Sequence, residues 1–295
     1  MKANAAALPA YRTRGADYIA LAKPRLNGLV VASTVAGYVM AGGDTADVAR
    51  VCATVLGTFL VAGGASAFNQ LLERDTDSLM RRTRTRPLPD GRLQSPEAFL
   101  FGAILTVAGL AVLSLGANPL SAVVAFATLA SYAVIYTPLK RRTSFATVIG
   151  AIPGALPPVI GWAAARNEIS QGAWVLFGIL FLWQLPHFLA IAWMFREDYA
   201  RAGLRMLPVI EPDGRSTARQ AVVYSAALLP LAMAPTLLGM TATAYFVGSF
   251  LLTAALLMLA IRFAADRSTL AARRLFYGSI VYLPLLWILM IADRH

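Results

Sequence analysis

Asn69, Glu73 and Asp77 recur at intervals of four in the stretch NQLLERDTD. On a helix each such step drifts by only about 40°, so the three side chains face one way over roughly 12 Å. Two carboxylates and an amide are hard oxygen donors, the kind Mg²⁺ takes when it bridges a protein to substrate phosphates. Asp75 turns to another face. The interleaved arginines, Arg74 among them, carry the planar fork that grips phosphate oxygens in pairs. A second acidic pair, Glu197 and Asp198, stands in FREDYARAGLRMLP, and Tyr136 and Lys140 stand in YTPLKRR. Two acidic loops and a basic one, meeting over one cavity, predict a polyphosphate site. The competing reading is a solvated loop with surface ion pairs, its arginines serving only topology and Tyr136 and Lys140 anchoring the membrane interface.

The elements that hold these residues are read from hydropathy. The 295-residue chain is 58% hydrophobic, and only 14% of it is charged. Runs of membrane-spanning length predict nine helices near 26–42, 49–68, 97–116, 119–137, 144–164, 172–194, 218–238, 242–263 and 272–291. The two acidic loops follow even-numbered spans, four apart, and both run into Leu-Pro, which suggests a pseudo-repeat. Of the 26 Lys and Arg residues, all but Arg50, Arg166 and Arg294 fall on one side of this map. Positive charge stays cytoplasmic, so the N-terminus is expected inside and the acidic loops at the cytoplasmic mouth. The net charge of +11 thus reads as topology and not as a nucleic-acid footprint. Residues 1–17 read as a cytoplasmic lead-in, and 18–295 as one transmembrane domain. A single cysteine, Cys52, excludes an internal disulfide framework, and two histidines are too few for most His/Cys metal clusters. Gly63, Gly64, Gly150 and Gly154 are expected to let helices approach closely.

With these residues in place, NQLLERDTDSLMRRTRTRPLP resembles the NxxxDxxxD region of the UbiA superfamily of intramembrane prenyltransferases, with Glu73 in the middle acidic position. KPR at 23–25, YTPLKRRT, WQLPHFLAIAW and DYARAGLRMLPV are similar to the branch that farnesylates haem, and the likeness runs from about residue 18 onward. The resemblance implies an all-α intramembrane bundle that transfers farnesyl from farnesyl diphosphate to a vinyl group of haem B, giving haem O. It implies that Asn69, Glu73 and Asp77 hold Mg²⁺ and that Glu197 and Asp198 supply the opposite side, Asp198 as a further metal ligand. Arg74, Tyr136, Lys140 and Arg141 would contact the diphosphate. His187, with Trp183 and Gln184 beside it, would contact haem, the acceptor substrate. The competing role for His187 is a hydrogen bond to a neighbouring helix. The implied setting is the cell inner membrane, its lipid bilayer and, as partners, a haem A synthase or a terminal oxidase assembly. One departure from other branches is the adjacent Glu197–Asp198 in place of a second DxxxD. The alternatives are a prenyltransferase for a quinone precursor or chlorophyll-type acceptor, and a transporter with cytoplasmic gating charges. No carboxylate falls mid-span, which weighs against transport.

Overall fold

The structure, a computed structural model, describes residues 13–295. Most of the predicted lead-in lies outside the described residues, but its end is folded. Helix α1 (Arg14–Ala22) starts behind Thr13, and Asp17 is buried against Arg92 at 3.0 Å. The helical domain thus begins before residue 18, because Asp17 and Arg14 are tied to the segment around α5, Arg14 through Glu97 at 2.9 Å.

Further helices follow in order: α2 (Pro24–Met40), α3 (Val48–Leu72), α4 (Arg74–Ser78), α5 (Ser95–Gly116), α6 (Pro119–Leu139), α7 (Ala146–Arg166) and α8 (Gln171–Met194). The chain continues through α9 (Arg196–Arg201), α10 (Leu207–Ile210), α11 (Arg215–Leu237), α12 (Thr243–Asp266) and α13 (Thr269–Ala292). Among the described residues, eight helices are long and apolar enough to cross a membrane: α3, α5 to α8, and α11 to α13. The predicted first span coincides with α2, whose 17 residues rise only about 25 Å. Length and composition therefore give eight spans, with α2 short of the ninth.

Local chemistry sets the ends. Asn118 accepts from Ser121 N at 2.9 Å ahead of Pro119, and Gln94 and Glu97 form a capping box at the start of α5. In the middle of α7 the helix breaks at Leu156, just before Pro157 and Pro158.

In a bilayer, apolar faces gain little by meeting one another, so close contact rests on small residues. A Cβ on Gly109 would stand 2.7 Å from the Gly57 carbonyl oxygen, and one on Gly64 would stand 2.8 Å from that of Gly102. These two antiparallel pairs seat α3 against α5. A Cβ on Gly161 or Gly37 would collide with the backbone across the α2–α7 crossing. Of the close contacts expected at Gly63, Gly64, Gly150 and Gly154, only the one at Gly64 is against a helix backbone; Gly63, Gly150 and Gly154 face the side chains of Leu105, Tyr136 and Gln184.

The segments after α3 and α8 lie at the same end of the bundle. Met80 from the first packs with Ala202, Leu204 and Met206 from the second in a small apolar cluster of their own. Arg205 N donates to the Lys140 carbonyl at 3.0 Å, joining this cap to the end of α6.

Candidate functional site

Under that cap, where α3, α6 and α8 end and α2 begins, lies a cavity of about 340 Å³. Its acidic wall is the stripe. Helix α3 stops at Leu72, and Glu73 (φ −97°, ψ 4°) joins it to α4, so the predicted unbroken helix is corrected to two. The four-residue bonds persist across the joint, Glu73 N to Asn69 O at 3.0 Å and Asp77 N to Glu73 O at 2.7 Å. All three side chains consequently line the cavity, while Asp75 is exposed and pairs with Arg74.

Each stripe residue meets a cation. Lys23 Nζ donates to Asn69 Oδ1 at 3.3 Å, Lys140 Nζ to Glu73 Oε1 at 2.7 Å, and Arg86 Nη1 to Asp77 Oδ2 at 2.6 Å. Asp77 is wholly buried, and its Oδ1 has no hydrogen-bond partner among the described residues. Burial raises the Asp77 carboxyl above its ordinary range against the opposing pull of Arg86. Burial also acts upward on Glu73, but Lys140, Lys23 and Arg86 outweigh it and hold that carboxyl low. For Lys140 the order is similar: burial acts downward, and the Tyr136 and Glu73 groups beside it prevail, keeping the ammonium well above its usual value.

The basic wall comes from an irregular stretch of α6. Residues Ser131–Tyr136 form a π-helical turn in which Thr137 N donates to Tyr132 O, five residues back. Pro138 has no N–H for the carbonyl of Val134, so the ladder widens here. The wide turn sets Tyr132 and Tyr136 side by side, ring centres 5.5 Å apart and planes tilted by 38°, in the lining of the cavity. Lys140 Nζ lies 4.4 Å from the Tyr136 ring centre. Gly150 is what admits Tyr136, since a Cβ there would strike the ring.

The far wall is α8. His187 lines the cavity with Phe188 and Ile191, and its ring stacks with both Trp183 (5.4 Å, 22°) and Phe276 (4.9 Å, 28°). His187 Nδ1 bonds Ser279 Oγ at 2.8 Å.

Other expected site residues are elsewhere, for identifiable reasons. Glu197 and Asp198 do not share the cavity. They line an adjoining pocket with Arg81 and Arg201, and Asp198 is ion-paired to Arg201 one helical turn away. Arg82 belongs to both pockets, its guanidinium 5.1 Å from the Phe195 ring centre and bonded to Tyr199 OH at 3.1 Å. The single cavity expected between the acidic loops is therefore divided in two at Arg82. Arg74 is one residue past Glu73, about 100° round the helix from it, and bonds Ser95 at 3.0 Å on the outer surface. Arg141 is exposed, one residue past Lys140. Trp183 and Gln184 turn into the bundle, where Trp183 Nε1 donates to Ser279 O and Gln184 Nε2 to Ala151 O, each at 2.8 Å. The cavity is also lined by Arg82 and Arg86, which the sequence offers only collectively among the arginines of the stretch, and by Lys23, Tyr132 and Tyr199, which it does not single out. Of the last three, Lys23 alone carries a local signal, being followed by Pro24 at a helix start.

A family model described as the UbiA prenyltransferase family matches residues 30–287. A relative named Protoheme IX farnesyltransferase in Solibacter usitatus (strain Ellin6076) is 50% identical, over 94% of this chain and 98% of its own length. Another of that name in Myxococcus xanthus (strain DK1622) is 41% identical over 100% of this chain and 99% of its own. Among solved structures, a digeranylgeranylglyceryl phosphate synthase superposes with a TM-score of 0.78 at 17% identity, covering 94% of this chain and 97% of that one. A UbiA homolog from Archaeoglobus fulgidus bound to GPP and Mg²⁺ gives 0.64 at 15% identity, over 93% and 99%.

Proposed function

The chain belongs to the UbiA prenyltransferase family, and on that premise we infer that it transfers a farnesyl group from farnesyl diphosphate to a vinyl group of haem B, giving haem O. It is a multi-pass membrane prenyltransferase. The observation that carries the site assignment is the pairing of one oxygen stripe with three cations inside one cavity whose other wall is aromatic and apolar. The near-full-length relatives named for this activity support the acceptor.

Asn69, Glu73 and Asp77 fit a divalent metal: all are hard oxygen donors, and Asp77 Oδ1 is buried without a partner. Mg²⁺ held there would offset the charge that grows on the departing diphosphate. Lys23, Lys140 and Arg86 draw the diphosphate oxygens, and because they are fixed before reaction they stabilise that charge without reorganising. Diphosphate leaves with both electrons of the C1–O bond. The terminal vinyl carbon of haem B then bonds C1, water adds at the adjacent carbon, and one proton is released. Met80, Leu204 and Met206 at the roof keep bulk water from the allylic cation until capture. We assign His187 to the haem side. Glu197 and Asp198 are assigned the outer wall beyond Arg82, with Asp198 contributing less to metal binding than Asp77. Residues 18–295, extended to include α1, form one domain; the charge asymmetry, which expects the termini on opposite faces, favours α2 as a short ninth span. The charge asymmetry supports a mouth on the cytoplasmic face of the cell inner membrane.

The test is direct. Detergent-purified protein given haem B, farnesyl diphosphate and Mg²⁺ should yield a product heavier by a hydrated farnesyl group, and EDTA should abolish it. Absence of that product from demonstrably folded protein would sink the assignment, and a panel of quinone precursors in the same assay would reveal a different acceptor.

A further inference from the structure

Ser279 on α13 has two close oxygen or nitrogen neighbours, and together they fix a proton. Its Oγ lies 2.6 Å from the Phe276 carbonyl, which can only accept, so the hydroxyl proton points there. The remaining contact, 2.8 Å to His187 Nδ1, then requires His187 to be the donor. The imidazole is thereby held with Nδ1 protonated and Nε2 carrying a lone pair. Nε2 has no hydrogen-bond partner among the described residues, and His187 lines the cavity. The ring cannot easily turn, because Trp183 and Phe276 both stack on it. Ser279 is itself pinned, being fully buried with its carbonyl accepting from Trp183 Nε1 at 2.8 Å.

We propose that His187 Nε2 is an axial ligand to the iron of haem B, and that Ser279 is the positioning residue that sets its tautomer. A histidine that ligates a metal through one nitrogen characteristically gives the other N–H to an oxygen acceptor, and haem iron takes a histidine nitrogen readily. The same tautomer is ill suited to a propionate, which needs an N–H that Nε2 does not have. Coordination would hold the macrocycle at α8, opposite the acidic wall that we assign to diphosphate, so that a vinyl group is presented between them. This rests on haem B being the acceptor.

The experiment compares binding of haem B and of iron-free protoporphyrin IX to the full-length protein in detergent, followed by the Soret band and by electron paramagnetic resonance. Wild type should give a histidine-ligated haem spectrum. His187→Ala should lose that spectrum and bind haem B at least about tenfold more weakly, with protoporphyrin IX affinity unchanged, and added imidazole should restore the spectrum. Ser279→Ala should weaken haem B binding alone, and Ser279→Thr should recover it. If His187→Ala binds haem B with an unaltered spectrum, or loses both porphyrins equally, iron ligation is overturned while haem stands as acceptor. If folded wild type binds no haem B, the acceptor assignment and the ligand both fall.

Discussion

Lys23 holds a left-handed backbone (φ 49°, ψ 56°) at the joint of α1 and α2, a conformation that costs a side-chain-bearing residue about 1 kcal/mol. Burial lowers its ammonium to about 7, and the nearby Arg86 guanidinium acts in the same direction. The group is charged below that pH and neutral above it, so kcat/KM for farnesyl diphosphate should fall as pH rises through about 7. Lys23→Arg stays charged and should carry the falling limb to higher pH, whereas an unmoved profile would remove Lys23 from diphosphate binding. Glu73→Gln and Asp77→Asn should each lower kcat by roughly 10²-fold while leaving haem B affinity near wild type. Asp198→Asn should cost less, because that carboxylate lies in the adjoining pocket against Arg201. The stripe was legible because a four-residue interval needs no tertiary knowledge. Arg86 was not: six Lys/Arg residues follow α3 before α5, and which of them turns inward depends on the fold of the cap.

Between residues 131 and 136 the wide turn of α6 sets the tyrosines. Pro138→Ala supplies the missing N–H, so the ladder should close to ordinary α-geometry and rotate Tyr132 away from the cavity. The expected outcome is a KM for farnesyl diphosphate raised about tenfold, near 1.4 kcal/mol, with an unchanged thermal midpoint. Gly161→Leu acts on the scaffold, where α2 and α7 cross backbone to backbone. Overpacking there should cost about 1–3 kcal/mol and lower the unfolding temperature in detergent; equal stability would mean that the crossing is not tight. Span positions were readable to within a few residues, from Gln171–Met194 against 172–194 to Thr269–Ala292 against 272–291. Helix α1 was not, since its nine residues carry charge and its anchor is Arg92, 75 residues along the chain. The π turn was equally hidden, because Pro138 alone also permits a simple helix end.

At the scale of the molecule, charge divides the two ends of the bundle. A cysteine placed at Glu168 should react with a membrane-impermeant maleimide on intact cells, and one at Asp213 only after permeabilisation, each in a Cys52→Ser background. The reverse pattern would invert the orientation. The cap over the cavity was only partly readable. Paired Leu-Pro loops suggested that two segments meet, and they do through Met80 and Leu204, yet the partition at Arg82 depends on aromatic contacts with Phe195 and Tyr199 that no spacing encodes. One further consequence follows from the pairing of Asn69, Glu73 and Asp77 with Lys23, Lys140 and Arg86. Entry into such a mouth is an exchange of partners: a metal that takes the carboxylates releases cations to a diphosphate, and a diphosphate that draws the cations uncovers oxygens for a metal. The two ligands are therefore mutual effectors, each strengthening the other by the same factor. Mn²⁺ isotherms with and without inorganic diphosphate would read that factor, and Lys140→Met should shrink it.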